Sequence, residues 1–64
     1  MESLSVTRIK SVEILEALLR NENVSRWDVH IHRNTIRELV REEGKYNELY
    51  DEVESLIESA KESL

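Results

Sequence analysis

Polar and apolar positions alternate over the first residues, Ser3-Leu4-Ser5-Val6-Thr7-Arg8, which is the period of a strand. A short strand is predicted over about residues 3–8, with Leu4 and Val6 on one side and Ser3, Ser5 and Thr7 on the other. The period then changes. Val12, Leu15, Leu18 and Leu19 recur at helical spacing with Glu13, Glu16 and Arg20 on the opposite face, predicting a helix over about residues 10–21. Asn21-Glu22-Asn23 should end it, because Asn accepts the left-handed conformation of a C-terminal cap.

Ser25 with Asp28 three residues on has the form of a capping box, flanked by Val24 and Val29 at the positions of a hydrophobic staple. A second helix is expected from Arg26 to Glu43, with Ile36, Leu39 and Val40 sharing a face and Gly44, the only glycine, just past its end. Within it, Trp27, Val29 and Ile31 alternate with Asp28, His30 and His32 as a strand would, and Thr35 with Glu38 would then cap a later helix. The continuous helix is preferred because its capping box comes with a staple. A third helix is expected over about residues 46–63, with Leu49, Val53, Leu56 and Ala60 on one stripe and Tyr46, Tyr50, Ile57 and Leu64 beside it. A rod joining the last two helices is disfavoured, because Glu43 interrupts its seam and an interior Gly costs about 1 kcal/mol relative to Ala.

Composition limits what these elements can build. Sixty-four residues allow one domain, residues 1–64, whose core is small for its surface. With no Cys for a disulfide or a thiolate metal site, self-association is the remaining support, and a homodimer is expected. Its apolar core would comprise Leu4, Val6, Val12, Leu15, Leu18, Leu19, Val29, Ile36, Leu39, Val40, Leu49, Val53, Leu56 and Ile57. No apolar run approaches a bilayer-spanning length, so no membrane role and a cytoplasmic location are expected. Twelve Glu and six Arg with no Gln or Cys resemble usage in proteins from hot environments.

The net charge of −5 at first argues against nucleic acid. Residues 1–41, however, hold seven Lys or Arg against six Asp or Glu, a formal +1, whereas residues 42–64 hold two against eight, a formal −6. The acidity belongs to the third helix, which leaves the first forty residues free to present a basic surface.

The order of strand 3–8, first helix, the turn Asn23-Val24-Ser25-Arg26 and second helix resembles the ribbon-helix-helix family of dimeric DNA-binding proteins. The resemblance implies a mainly α fold with one short N-terminal β-strand, intertwined as a homodimer. Its paired strands would enter the major groove of double-stranded DNA, as a transcriptional regulator does. Ser3, Ser5 and Thr7 would then read base edges, Arg8 and Lys10 would approach phosphates, and the helix start at Ser25 and Arg26 would clamp the backbone. The third helix lies outside the family's common pattern, and in layout it resembles elaborated three-helix versions known from archaeal viruses, which would accommodate it as added dimer-core packing.

Other chemistries carry less. Asp28, His30 and His32 would share one side of a strand but splay on a helix, so no metal site is expected, and no cofactor. No Gly-rich phosphate loop or nucleophile motif is present, so no enzymatic activity is expected. Trp27, Tyr46 and Tyr50 read as packing anchors rather than base-stacking platforms. The competing reading is a dimeric helical bundle, an adaptor or antitoxin-like module that binds a protein partner through its acidic third helix.

Overall fold

The computed structural model describes the backbone of residues 2–42 and 44–63 and the side chains of residues 6–42 and 44–63. Its elements are α1 (Glu2–Leu19), α2 (Arg26–Ile31), α3 (Arg33–Glu42), a 3₁₀ segment (Gly44–Leu49) and α4 (Tyr50–Ser63).

No strand occurs among the described residues, which overturns the ribbon-helix-helix resemblance and the mixed fold class drawn from it. Residues 3–8 form the first turns of α1. An isolated strand leaves its N–H and C=O groups unpaired until a second strand supplies partners, whereas a helix satisfies them within the segment. No Pro or Gly between residues 2 and 43 opposes that choice. Val6, expected to face the helices from the strand, is instead 56% exposed on the outside of α1.

The end of α1 follows its sequence closely. Asn21 takes a positive φ of 59°. The Asn21 N–H bonds the Leu18 carbonyl at 3.0 Å and the Glu22 N–H bonds the Ala17 carbonyl at 2.9 Å, the paired bonds of a Schellman cap. Ser25 caps α2 by accepting the Asp28 N–H at 3.4 Å, and half-buried Val24 packs against the core beside buried Val29.

The expected second helix is not continuous: α2 and α3 meet at a corner on His32, with φ −101° and ψ 15°. Backbone bonds run through it, from the His32 N–H to the Asp28 carbonyl and from the Ile36 N–H to the His32 carbonyl, each 3.0 Å. The corner lets Val29 pack toward α4 while Ile36, Leu39 and Val40 pack toward α1 and the 3₁₀ segment.

Glu43, expected to close the second helix, and Leu64, expected on the last stripe, lie outside the described residues. Gly44 does not take the positive φ of a C-terminal cap. The Asn47 side-chain amide instead donates to the Val40 carbonyl at the end of α3. Side chains three apart eclipse in a 3₁₀ helix, and here that period aligns Tyr46 with Leu49, both buried. From Tyr50 the helical period resumes, with Val53, Ile57 and Ala60 turned inward.

The core joins these to Ile14, Leu15 and Leu18 of α1, with Val12, Leu19 and Leu56 packed at its edge. Ile14 fills a core position that the pattern did not mark, and Tyr46 and Ala60, expected on the apolar side of the last helix, are buried as well. Ser11 is fully buried, and its hydroxyl donates to the Thr7 carbonyl at 2.8 Å, so this hydroxyl is not stranded.

Candidate functional site

Four of the chain's nine Lys and Arg residues, Arg26, Arg33, Arg37 and Arg41, lie on α2 and α3. Arg33, Arg37 and Arg41 recur at a spacing of four along α3, a periodicity visible in the sequence but not assigned there to a site. They lie beside the inward row of Ile36, Leu39 and Val40. The face turned farthest from the core carries Asn34, Glu38 and Arg41, all exposed, with Arg37 half-buried at its border. Asn34 and Arg41 have no partner among the described residues.

Arg37 is held in place by Glu54 of α4, with its Nε at 3.1 Å and Nη2 at 3.2 Å from the carboxylate oxygens. This bidentate bond raises the Arg37 pKa further into its protonated range. Arg33 folds back to donate to the His30 carbonyl at 2.7 Å, stiffening the corner from its N-terminal side.

A cleft of about 200 Å³ opens between this corner and the last turns of α4, lined by His30, Arg33, Arg37, Ile57, Glu58 and Lys61. The Trp27 and His30 rings meet at its rim, with centroids 6.1 Å apart and planes tilted by 38°. His30 and His32 each bury an Nδ1 atom that has no hydrogen-bond partner among the described residues. No group of three or more His, Cys, Asp or Glu side chains gathers among the described residues in a way that could hold a metal ion.

On the opposite side of α4 from Val53, Ile57 and Ala60, the exposed residues Asp51, Ser55, Glu58 and Glu62 follow one another at helical spacing. Their carboxylates form no ion pair among the described residues, so they make an acidic ridge interrupted at Ser55. Tyr50, 44% exposed, lies nearby at the start of the same helix.

The residues expected to read DNA from a ribbon are dispersed. The side chains of Ser3 and Ser5, like that of Leu4, lie outside the description. Thr7 is half-buried on α1, Arg8 is exposed, and exposed Lys10 lies 4.0 Å from Glu13. Ser25 is occupied as a cap, and the Arg26 Nε donates to Ser59 Oγ at 3.1 Å, tying α2 to α4. Lys10 and Ser25 do line one shallow cleft, but Thr7, Arg8 and Arg26 are not among its lining residues.

No helix among the described residues is long and apolar enough to cross a membrane. No protein-family model matches the chain, nor does any curated protein or solved structure.

Proposed function

We propose that this chain binds double-stranded DNA through α3, with α2 lying across the sugar-phosphate backbone. The observation that carries this reading is the outer row of α3, where Asn34, Arg37, Glu38 and Arg41 share one face directly after the α2–α3 corner. The major groove admits a single α-helix, and α3 offers its outer row as such a helix. Asn and Arg have the donor and acceptor pattern that matches adenine and guanine edges, and Glu can accept from cytosine. Four exposed carboxylates, Asp51, Glu52, Glu58 and Glu62, lie on α4, so the duplex would approach from the α2–α3 side.

Two copies would read two half-sites. Val6 and Ile9, 56% and 57% exposed, point outward from α1, and a second chain would cover them and relieve the small size of the core. Selection from a random duplex pool at about 50 mM salt tests the proposal, since low salt favours phosphate contacts. The expected result is an enriched site bound by two chains per duplex, with Asn34→Ala and Arg41→Ala each weakening it by about 5- to 100-fold. Absence of binding, or binding indifferent to both substitutions, would overturn it.

The acidic ridge of α4 favours a second reading, a module that docks a basic protein surface. Under it, Glu58→Gln with Glu62→Gln would abolish binding to a basic partner peptide, and the α3 substitutions would have no effect.

A further inference from the structure

We infer that the cleft between the α2–α3 corner and the end of α4 is a phosphate-binding site, seating either free phosphate or one phosphate of a nucleic-acid backbone. Three cationic side chains, Arg33, Arg37 and Lys61, line it against one carboxylate, Glu58. They come from two elements far apart in sequence, so the cluster is made by the fold rather than by a local run of basic residues.

The donors remain available. Arg37 spends its Nε and Nη2 on Glu54, which fixes the plane of the guanidinium and leaves Nη1 uncommitted. Arg33 uses only Nη1 in its bond to the His30 carbonyl. Lys61 has no partner among the described residues and, in the last turn of α4, carries three free N–H donors. Two pre-oriented guanidinium groups and one mobile ammonium suit a tetrahedral oxyanion, because planar forks accept pairs of its oxygens and the ammonium adjusts to a third. A volume of about 200 Å³ accommodates such an ion with part of its hydration, given a share of about 30 Å³ for each water. Ile57 forms an apolar wall that limits solvent on one side.

Phosphate is favoured over a carboxylate ligand because its tetrahedral oxygens can accept from both guanidinium forks and the ammonium at once, whereas a carboxylate offers two coplanar oxygens. Glu58 at the edge opposes either anion. Removal of the Glu58 charge should therefore tighten binding.

The test is titration of the full chain with inorganic phosphate at constant ionic strength, following backbone amide shifts by NMR. Saturable shifts are expected over residues 30–37 and 57–61, weakened about tenfold by Lys61→Ala or Arg33→Ala. Glu58→Gln should tighten binding, and Lys10→Ala on α1 should leave it unchanged. Shifts that fail to saturate, or that persist equally in both Lys61→Ala and Arg33→Ala, would overturn the inference.

A second arm uses duplex DNA. If Lys61→Ala weakens duplex and phosphate binding together, the cleft takes a backbone phosphate; if only phosphate binding falls, it takes the free ion. Duplex binding without any phosphate binding would defeat the cleft and leave the reading of α3 intact. Phosphate binding without duplex binding would do the reverse.

Discussion

Tyr46 is only 5% exposed, yet its hydroxyl reaches the surface to donate to Glu16 Oε2 at 2.7 Å, and the same oxygen accepts from Lys45 Nζ at 2.6 Å. The Lys45 ammonium also stands 5.5 Å from the center of the Tyr46 ring. One tyrosine thus supplies core volume and a polar tether between the 3₁₀ segment and α1. Tyr46→Ala should destabilise the fold by about 3–5 kcal/mol, as removal of a buried ring does, and Tyr46→Phe by much less, both read from urea unfolding. The bond from Lys45, then that from Tyr46, holds the Glu16 carboxyl below its ordinary pKa. A depressed carboxylate stabilises the fold above its unfolded pKa and loses that contribution as pH falls through the folded value. Glu16→Gln should therefore lower the urea midpoint at pH 7, and the gap from the native chain should close as pH falls below about 4.5. A gap that stays constant down to pH 2.5 would show that Glu16 acts through packing rather than charge.

At the scale of elements, the two expected C-terminal caps came out differently, and the difference can be measured. Asn21 occupies the left-handed region in a Schellman cap, so a β-branched residue there is strained, and Asn21→Val should cost about 1–2 kcal/mol. Gly44 has no positive φ, and a Cβ placed on it would meet only Asn47 Oδ1, at 3.9 Å. Gly44→Ala should then stabilise the fold by about 0.4–1 kcal/mol, through reduced freedom of the unfolded chain. A loss of stability on Gly44→Ala would instead point to the capping role that its place in the sequence implied. Ser25 and Asn21 were legible because their caps act on neighbouring backbone groups, so local sequence carries the whole cause. The helical stripes through Leu15, Ile36 and Val53 were legible because burial repeats with the helical period. The corner at His32 was not, because α2 turns toward α4 and α3 toward α1, and only tertiary packing distinguishes that path from a straight helix. Residues 3–8 misled for a related reason: alternation defines a strand only where a second strand is available to pair with it. The cationic cleft escaped notice because Lys61 and Arg33 become neighbours only when α4 folds back over the corner.

Across the whole molecule, charge is segregated rather than balanced, and that makes its response to salt distinctive. The ridge of Asp51, Glu58 and Glu62 has no ion-pair partners among the described residues, and Glu52 beside it is likewise unpaired. Glu58 and Glu62, one turn apart, repel at a cost of about 0.2–0.5 kcal/mol, and screening relieves that repulsion. The opposing effect is loss of the exposed bridges, Lys10 with Glu13, Arg20 with Glu22 and Lys45 with Glu16, whose worth is about 0–1 kcal/mol each. For a chain of net charge −5 the repulsion extends beyond neighbouring pairs, so it should dominate at low ionic strength. Raising NaCl from about 0.01 to 0.1 M shortens the Debye length from about 30 to about 10 Å and should raise the melting temperature by a few degrees. Glu58→Lys with Glu62→Lys should flatten that dependence by interrupting the ridge. Duplex binding should move the other way over the same range, weakening as salt rises, because each phosphate contact depends on counterion release. A chain that grows more stable while it releases DNA would locate the two effects on different faces, repulsion on α4 and attraction on α3. If stability and duplex binding instead weakened together, the ion pairs rather than the ridge would dominate the electrostatics of the fold.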